Sequence, residues 1–296
     1  MCCHYSSVES GNVGIVRDWV SRGGDINEPI KFGASEGATL LFTASAKGQL
    51  PMVQYLISQG AVQNQISIGK FAGSTVVFIA CQEGKLDVVE YLIQHGSQPD
   101  FECLDVAIAQ NHLPIVKHLV EGGYVSADMP CTSGKNVGAR PIDIAVTHGR
   151  IDHVRYLIAE KDVCPKSASV SGRLEGQTPI YIAAAEGHLE LVQYLIDQEA
   201  HADEPLLFGP NSGETPLYIA AEENRLLVVK YLIERQCLSE HTPLCSGFFS
   251  GKTPVDAASG AQSEAVCQFF ATRRQPVSQI GWKSQTSMMD RHIKGG

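Results

Sequence analysis

The chain has 296 residues, is 44% hydrophobic and carries a formal charge of −9 at pH 7. That length can bury a large core, and the acidic balance argues against nucleic-acid partners, which need a basic stripe to neutralise phosphates. No apolar run approaches the ~20 residues that span a bilayer and no signal peptide is read at the start, so a soluble cytoplasmic chain is expected. Its 9 cysteines are odd in number, without a CxxC pair or regular spacing, so neither a disulfide framework nor a zinc site is suggested.

Met1-Cys2-Cys3 opens the chain with paired thiols that S-acylation could use for membrane tethering, although both also fall where later units start a helix. Ser6, Ser7 and Glu9 stand where Ile182, Ala183 and Ala185 stand further on, which is the wettable outer side expected of a terminal unit. From there a phrase recurs: LPMVQYLISQG at 50–60, LDVVEYLIQHG at 86–96, LPIVKHLVEGG at 113–123, IDHVRYLIAEK at 151–161, LELVQYLIDQE at 189–199 and LLVVKYLIERQ at 226–236. Leu86, Val89 and Ile93 show its helical apolar stripe.

Upstream lies a second phrase, clearest as TPIYIAAAEG at 178–187 and TPLYIAAEEN at 215–224. Thr before Pro suits a helix start, since the hydroxyl accepts from an orphan amide and Pro has none to leave unpaired. These short helices are expected to close at Gly48, Gly84, Gly149 and Gly187, with Asn111 and Asn224 in the same register. The register Trp19, Leu56, Leu92, Leu119, Leu157, Leu195, Leu232 and Phe270 counts eight units, spaced 37, 36, 27, 38, 38, 37 and 38.

On these residues the chain resembles the ankyrin repeat family, with Tyr181, Tyr218, Phe42 and Phe78 where that family's TPLH phrase carries His. The resemblance implies an all-α solenoid of about eight helix-turn-helix units with extended β-hairpin fingers and a concave face for partners. The repeat domain is expected over 1–274, with units 1 and 8 as caps, and a basic flexible tail over 275–296.

The units exceed the ~33-residue ankyrin period, and the excess falls in the fingers. Six of them carry glycines four apart, at 33 and 37, 69 and 73, 134 and 138, 172 and 176, 209 and 213, and 247 and 251. Such glycines suit hairpin turns through positive φ. Ile30, Phe32, Ile68, Phe71, Leu206, Leu207, Phe208, Phe248 and Phe249 either pack finger on finger or meet a partner.

At the interval of 27 a finger is missing, which leaves a notch between units 3 and 4 with Phe101, Asp105, Ala109 and Gln110 as its expected floor. On the concave helix ends, Gln110, His148, Glu186, Glu222 and Glu223 are candidate contacts; with Glu214 the acidic ones would suit a basic partner peptide. Residues 273–296 carry Arg273, Arg274, Lys283, Arg291 and Lys294 against Asp290, with Trp282 as the natural docking anchor of the tail.

No P-loop, HExxH or GxSxG phrase appears, and Asp105 and Asp143, on neighbouring helices roughly 8–10 Å apart, are too distant to share a proton. A non-enzymatic monomer without cofactor or metal is expected, acting as a scaffold or adaptor for a partner protein. Alternatives are a targeting subunit or secreted bacterial effector working in a host cytosol, and a small-molecule or modified-peptide receptor at the notch.

Overall fold

The computed structural model describes residues 8, 10–30, 36–63, 72–132 and 136–273, and contains fifteen α-helices and no strand among them. After α1 (Val13–Ser21) they come in pairs: α2 (Leu40–Ala46) with α3 (Leu50–Ser58), α4 (Val76–Gln82) with α5 (Leu86–Gln94), and α6 (Phe101–Ala109) with α7 (Leu113–Glu121). The pairs continue as α8 (Pro141–Thr147) with α9 (Ile151–Lys161), α10 (Pro179–Glu186) with α11 (Leu189–Asp197), α12 (Pro216–Glu222) with α13 (Leu226–Glu234), and α14 (Pro254–Gly260) with α15 (Glu264–Arg273). Each inner, even-numbered helix packs on the next one in the row, as it also does on its own outer partner. Among the described residues no helix is long and apolar enough to cross a membrane.

Local chemistry starts and stops these helices. The hydroxyl oxygens of Thr39, Thr75, Thr178, Thr215 and Thr253 accept from the amides of Phe42, Phe78, Tyr181, Tyr218 and Asp256 at 3.1–3.4 Å, each satisfying one of the donors a helix start leaves open. Asp100 does the same for Cys103 at 3.1 Å, and its helix α6 has nine residues where its neighbours α4 and α8 have seven. The unit that lacks a finger thus starts its inner helix earlier, with Phe101 half-buried on the core. At the closing positions Asn111 and Asn224 take φ of 66° and 58°, beside 69° at Gly48 and 71° at Gly84, so Asn substitutes for Gly there.

The core is one ribbon from Val8 to Phe270, threaded by Leu56, Leu92, Leu119, Leu157, Leu195 and Leu232, all without exposed surface. On the outer helices, cations cover the rings of the next unit: Arg17 over Tyr55 at 5.6 Å, Lys117 over Tyr156 at 4.8 Å, Arg155 over Tyr194 at 5.6 Å and Lys230 over Phe269 at 5.5 Å.

An imidazole interrupts the apolar stripe of the outer helices. His153 stands in α9 where sister units place Met52, Val88, Ile115, Leu191 and Val228; it has no exposed surface, and neither ring nitrogen has a hydrogen-bond partner. Burial, then the Arg150 charge, lowers its pKa to about 4, with His112 acting the same way and Asp152 opposing. The unfolded chain therefore takes up a proton below pH 6.5 that the folded chain refuses until about pH 4, so stability is lost as pH falls through that window, by about 3 kcal/mol in full. His153→Leu is expected to raise the denaturant midpoint at pH 7 and to flatten its fall between pH 6.5 and 4. An unchanged pH slope in the variant contradicts this.

Candidate functional site

The fingers emerge between the outer helix of one unit and the inner helix of the next. Each described finger closes on itself by two reciprocal backbone bonds of 2.8–3.0 Å: Ile30 donates to Ala38 and Gly37 to Ile30, and the pattern repeats at Cys131, Ser169, Leu206 and Leu244. These clasps give short hairpins, and what stands them in a row is the contact between neighbours.

Gly138 lies against the Ser171 carbonyl and Gly172 against the Val137 carbonyl; Gly176 and Gly209 face the Phe208 and Glu175 carbonyls, and Gly213 and Gly247 those of Ser246 and Ser212. A Cβ at any of the six would collide with backbone that cannot move aside, and all six have φ between 77° and 89°. The second glycine of one finger and the first of the next therefore close the row from unit 4 to unit 8. At Gly73, beside the missing finger, and at Gly251, at the end of the row, no described atom lies within 4 Å of a Cβ position.

The row is also tied to the helices beneath it. One register on the inner helices reaches forward to the next finger: Asp105 accepts from Asn136 Nδ2 at 2.5 Å, Asp143 from Ser169 Oγ at 2.7 Å, Tyr181 donates to Glu214, and the Tyr218 ring lies 5.9 Å from that of Phe249. Around Asp143, which is wholly buried, the Arg140 guanidinium donates to both carboxylate oxygens at 3.1 and 3.2 Å and to the Ser167 carbonyl at 2.5 Å. Removing either partner would strand a buried charge, at a cost of about 3–5 kcal/mol.

A second ladder reaches backward. In five units the residue after the closing position bonds a carbonyl at the end of the previous inner helix. His112 Nε2 lies 3.0 Å from Gln82 O and His188 Nε2 3.2 Å from Thr147 O, Arg150 donates to Ala109 O, Arg225 Nε to Ala185 O at 2.7 Å and Ser263 Oγ to Glu222 O at 2.6 Å. Sequence reading missed this ladder, although its signal was present as His112, Arg150, His188 and Arg225, all basic or imidazole, each directly after Gly or Asn.

The expected contact residues divide on this frame. Phe208 is 41% exposed and Phe248 89%, while Leu207, beside Phe208 in the same finger, reaches 80%; Phe249 is half-buried between Tyr218 and Phe248. Gln110, His148 and Glu223 are exposed at the ends of α6, α8 and α12, with Glu186 and Glu222 half-buried beside them. His148 joins Arg173 and Leu174 around a small cavity of about 40 Å³. Phe32, Phe71, Trp282, Cys2 and Cys3 lie outside the described residues.

One expectation needs correction. Glu214 is only 2% exposed, because Tyr181 Oη and Asn211 Nδ2 engage its carboxylate, so it cannot touch a partner directly. At the expected floor of the notch, Phe101 is half-buried against the core and Asp105 accepts from Asn136, while Gln110 is exposed.

The acidic end is electrostatically strained. Burial raises the Glu222 carboxyl above its ordinary value, and the Glu214 and Glu223 charges add to that; burial likewise raises Glu214 against the bonds from Tyr181 and Asn211. Tyr218 is pushed up to about 12 by burial and then by Glu222, Glu214 and Asp256. Behind the fingers of units 5 to 7, a cavity of about 190 Å³ lies among Lys166, Ile180, His201, Glu204, Leu206 and Phe208, smaller than the ~300–1,000 Å³ of ordinary ligand sites.

The family model described as ankyrin repeats (3 copies) matches residues 4–103 and 163–242, well over half of the chain. Between the two matches it skips residues 104–162, most of units 4 and 5, which follow the missing finger and in which Arg140 replaces the capping Thr. The fold is similar to the crystal structure of the human ASB11 ankyrin repeat domain, at 22% identity and a TM-score of 0.60, over 81% of this chain and 99% of that one. No curated protein sequence matches. Gly209→Ala is expected to lower stability by more than the about 1 kcal/mol of an ordinary surface change and to open the neighbouring fingers to protease; a melting curve and cleavage pattern like those of the unaltered chain would refute the glycine contacts.

Proposed function

We propose that this chain, which belongs to the ankyrin repeat family, is a scaffold or adaptor that binds a partner protein through its finger tips and concave helix ends. Repeats of this family generally mediate protein–protein interaction, so binding is the premise and the surface used is the question. The observation that carries the reading is the exposure of Leu207, Phe208 and Phe248 on a row of fingers locked by its own backbone. Large apolar side chains held out on a rigid support lose little entropy on docking and serve as anchors.

The charge beside them narrows the partner. Glu186, Glu222 and Glu223 line the concave ends of units 6 and 7, and the repulsion between Glu222 and Glu223 is relieved when a cation approaches. A partner segment with an apolar anchor flanked by Lys or Arg fits this surface.

The test is quantitative capture by the full chain and by a Leu207→Asp, Phe208→Asp, Phe248→Asp variant, whose melting curves should coincide because the side chains are exposed. Partners are expected to bind the variant at least about thirtyfold more weakly, as for loss of anchors of ~2 kcal/mol. The same partners retained at the same affinity would overturn the reading.

A further inference from the structure

We propose that residues 274–296 of this chain are themselves a ligand of the face formed by units 7 and 8, with Trp282 against the Phe248 and Phe249 rings and the segment's cations toward Glu222, Glu223 and Asp256. This rests on the reading of that face as a binding surface and names one occupant for it.

The first support is where the helices end. Arg273 closes α15, and its Nε donates to Glu240 Oε1 at 3.2 Å while its guanidinium covers the Phe269 ring at 5.6 Å. Glu240 is 9% exposed at the root of the finger between units 7 and 8. The last described residue, Arg273, is therefore tied to the foot of the last finger, and at that finger a Cβ on Gly251 would meet no described atom within 4 Å. In every other described case the corresponding glycine of a finger from unit 4 onward is covered by the next finger.

The second support is the face itself. Tyr218 and Phe249 lie 5.9 Å apart, and Phe248 meets Phe249 edge-on at 5.0 Å, so three rings lead from the base of α12 to the finger tip. The last of them is 89% exposed. A further aromatic ring would extend the series in the edge-to-face or offset geometry that such rings prefer.

The third support is complementarity and reach. Residues 274–296 carry Arg274, Lys283, Arg291 and Lys294 against the single acid Asp290, with Trp282, Met288 and Met289 as large apolar groups. The face offers Glu222, Glu223 and Asp256, whose charges, with that of Glu214, raise Tyr218 or Glu222 beyond their ordinary values after burial. Trp282 lies 9 residues beyond Arg273, a reach of at most about 30 Å, whereas neighbouring units stand only about 8–10 Å apart.

Tryptophan emission from the full chain, minus that of Trp282→Phe, isolates the Trp282 signal from that of Trp19. Docking predicts a blue-shifted emission protected from acrylamide, lost on Phe248→Ser and lost in about 1 M NaCl, where charges are screened beyond about 3 Å. Emission equal to that of a synthetic 274–296 peptide would overturn the proposal, and so would protection that grows with protein concentration, which would assign the face to the tail of a second copy. An exposed Trp282 together with lost capture by the finger-tip variant sinks the tail docking alone. A protected Trp282 together with unaltered capture upholds the docking and sinks the partner-binding reading.

Discussion

Each pair of helices in this chain leaves groups that only a neighbouring pair can satisfy, and the whole structure follows from that dependence. The apolar stripe of an outer helix closes over Leu92, Leu119 or Leu157 only when units stand on both sides. Polar groups obey the same rule. The carbonyls that end α4, α6, α8, α10 and α12 are bonded by a side chain from the following unit, and the inner-helix register of Asp105, Asp143, Tyr181 and Tyr218 is engaged by the following finger.

The fingers inherit their order from this arrangement. A hairpin closed by two backbone bonds is marginal by itself, but here its glycines sit against the backbone of the next hairpin and its base is held by a side chain from below. Exposed Leu207, Phe208 and Phe248 are thus carried on fixed supports rather than on loops, which is the condition under which apolar anchors bind without a large ordering cost. The missing finger interrupts the row at one place, and the chain answers it locally by starting α6 earlier and seating Phe101 on the core.

Sequence reading recovered what is periodic and local. The helix pairs, the Thr starts and the interchange of Gly with Asn at 48, 84, 111 and 224 all depend on residues within one turn of each other, so spacing reveals them. It misjudged features set by residues 32–35 positions apart. Glu214 looked like a free surface acid because Tyr181 is invisible from its own phrase, and the paired glycines read as turn-makers when their more demanding role is to admit the neighbouring carbonyl. His153 escaped notice because an imidazole at an aliphatic position changes nothing in the helical pattern while removing two hydrogen-bonding nitrogens from water.

Amide hydrogen exchange at the clasp glycines tests the dependence of the fingers on their neighbours most directly. Gly138, Gly176 and Gly213 each donate at 2.8 Å within a finger flanked by another, and Gly251 at 2.9 Å in the last finger of the row. The account predicts exchange at the first three as slow as in the buried helices beneath, with Gly251 faster. Exchange at Gly138, Gly176 and Gly213 at the rate of an open loop would contradict it.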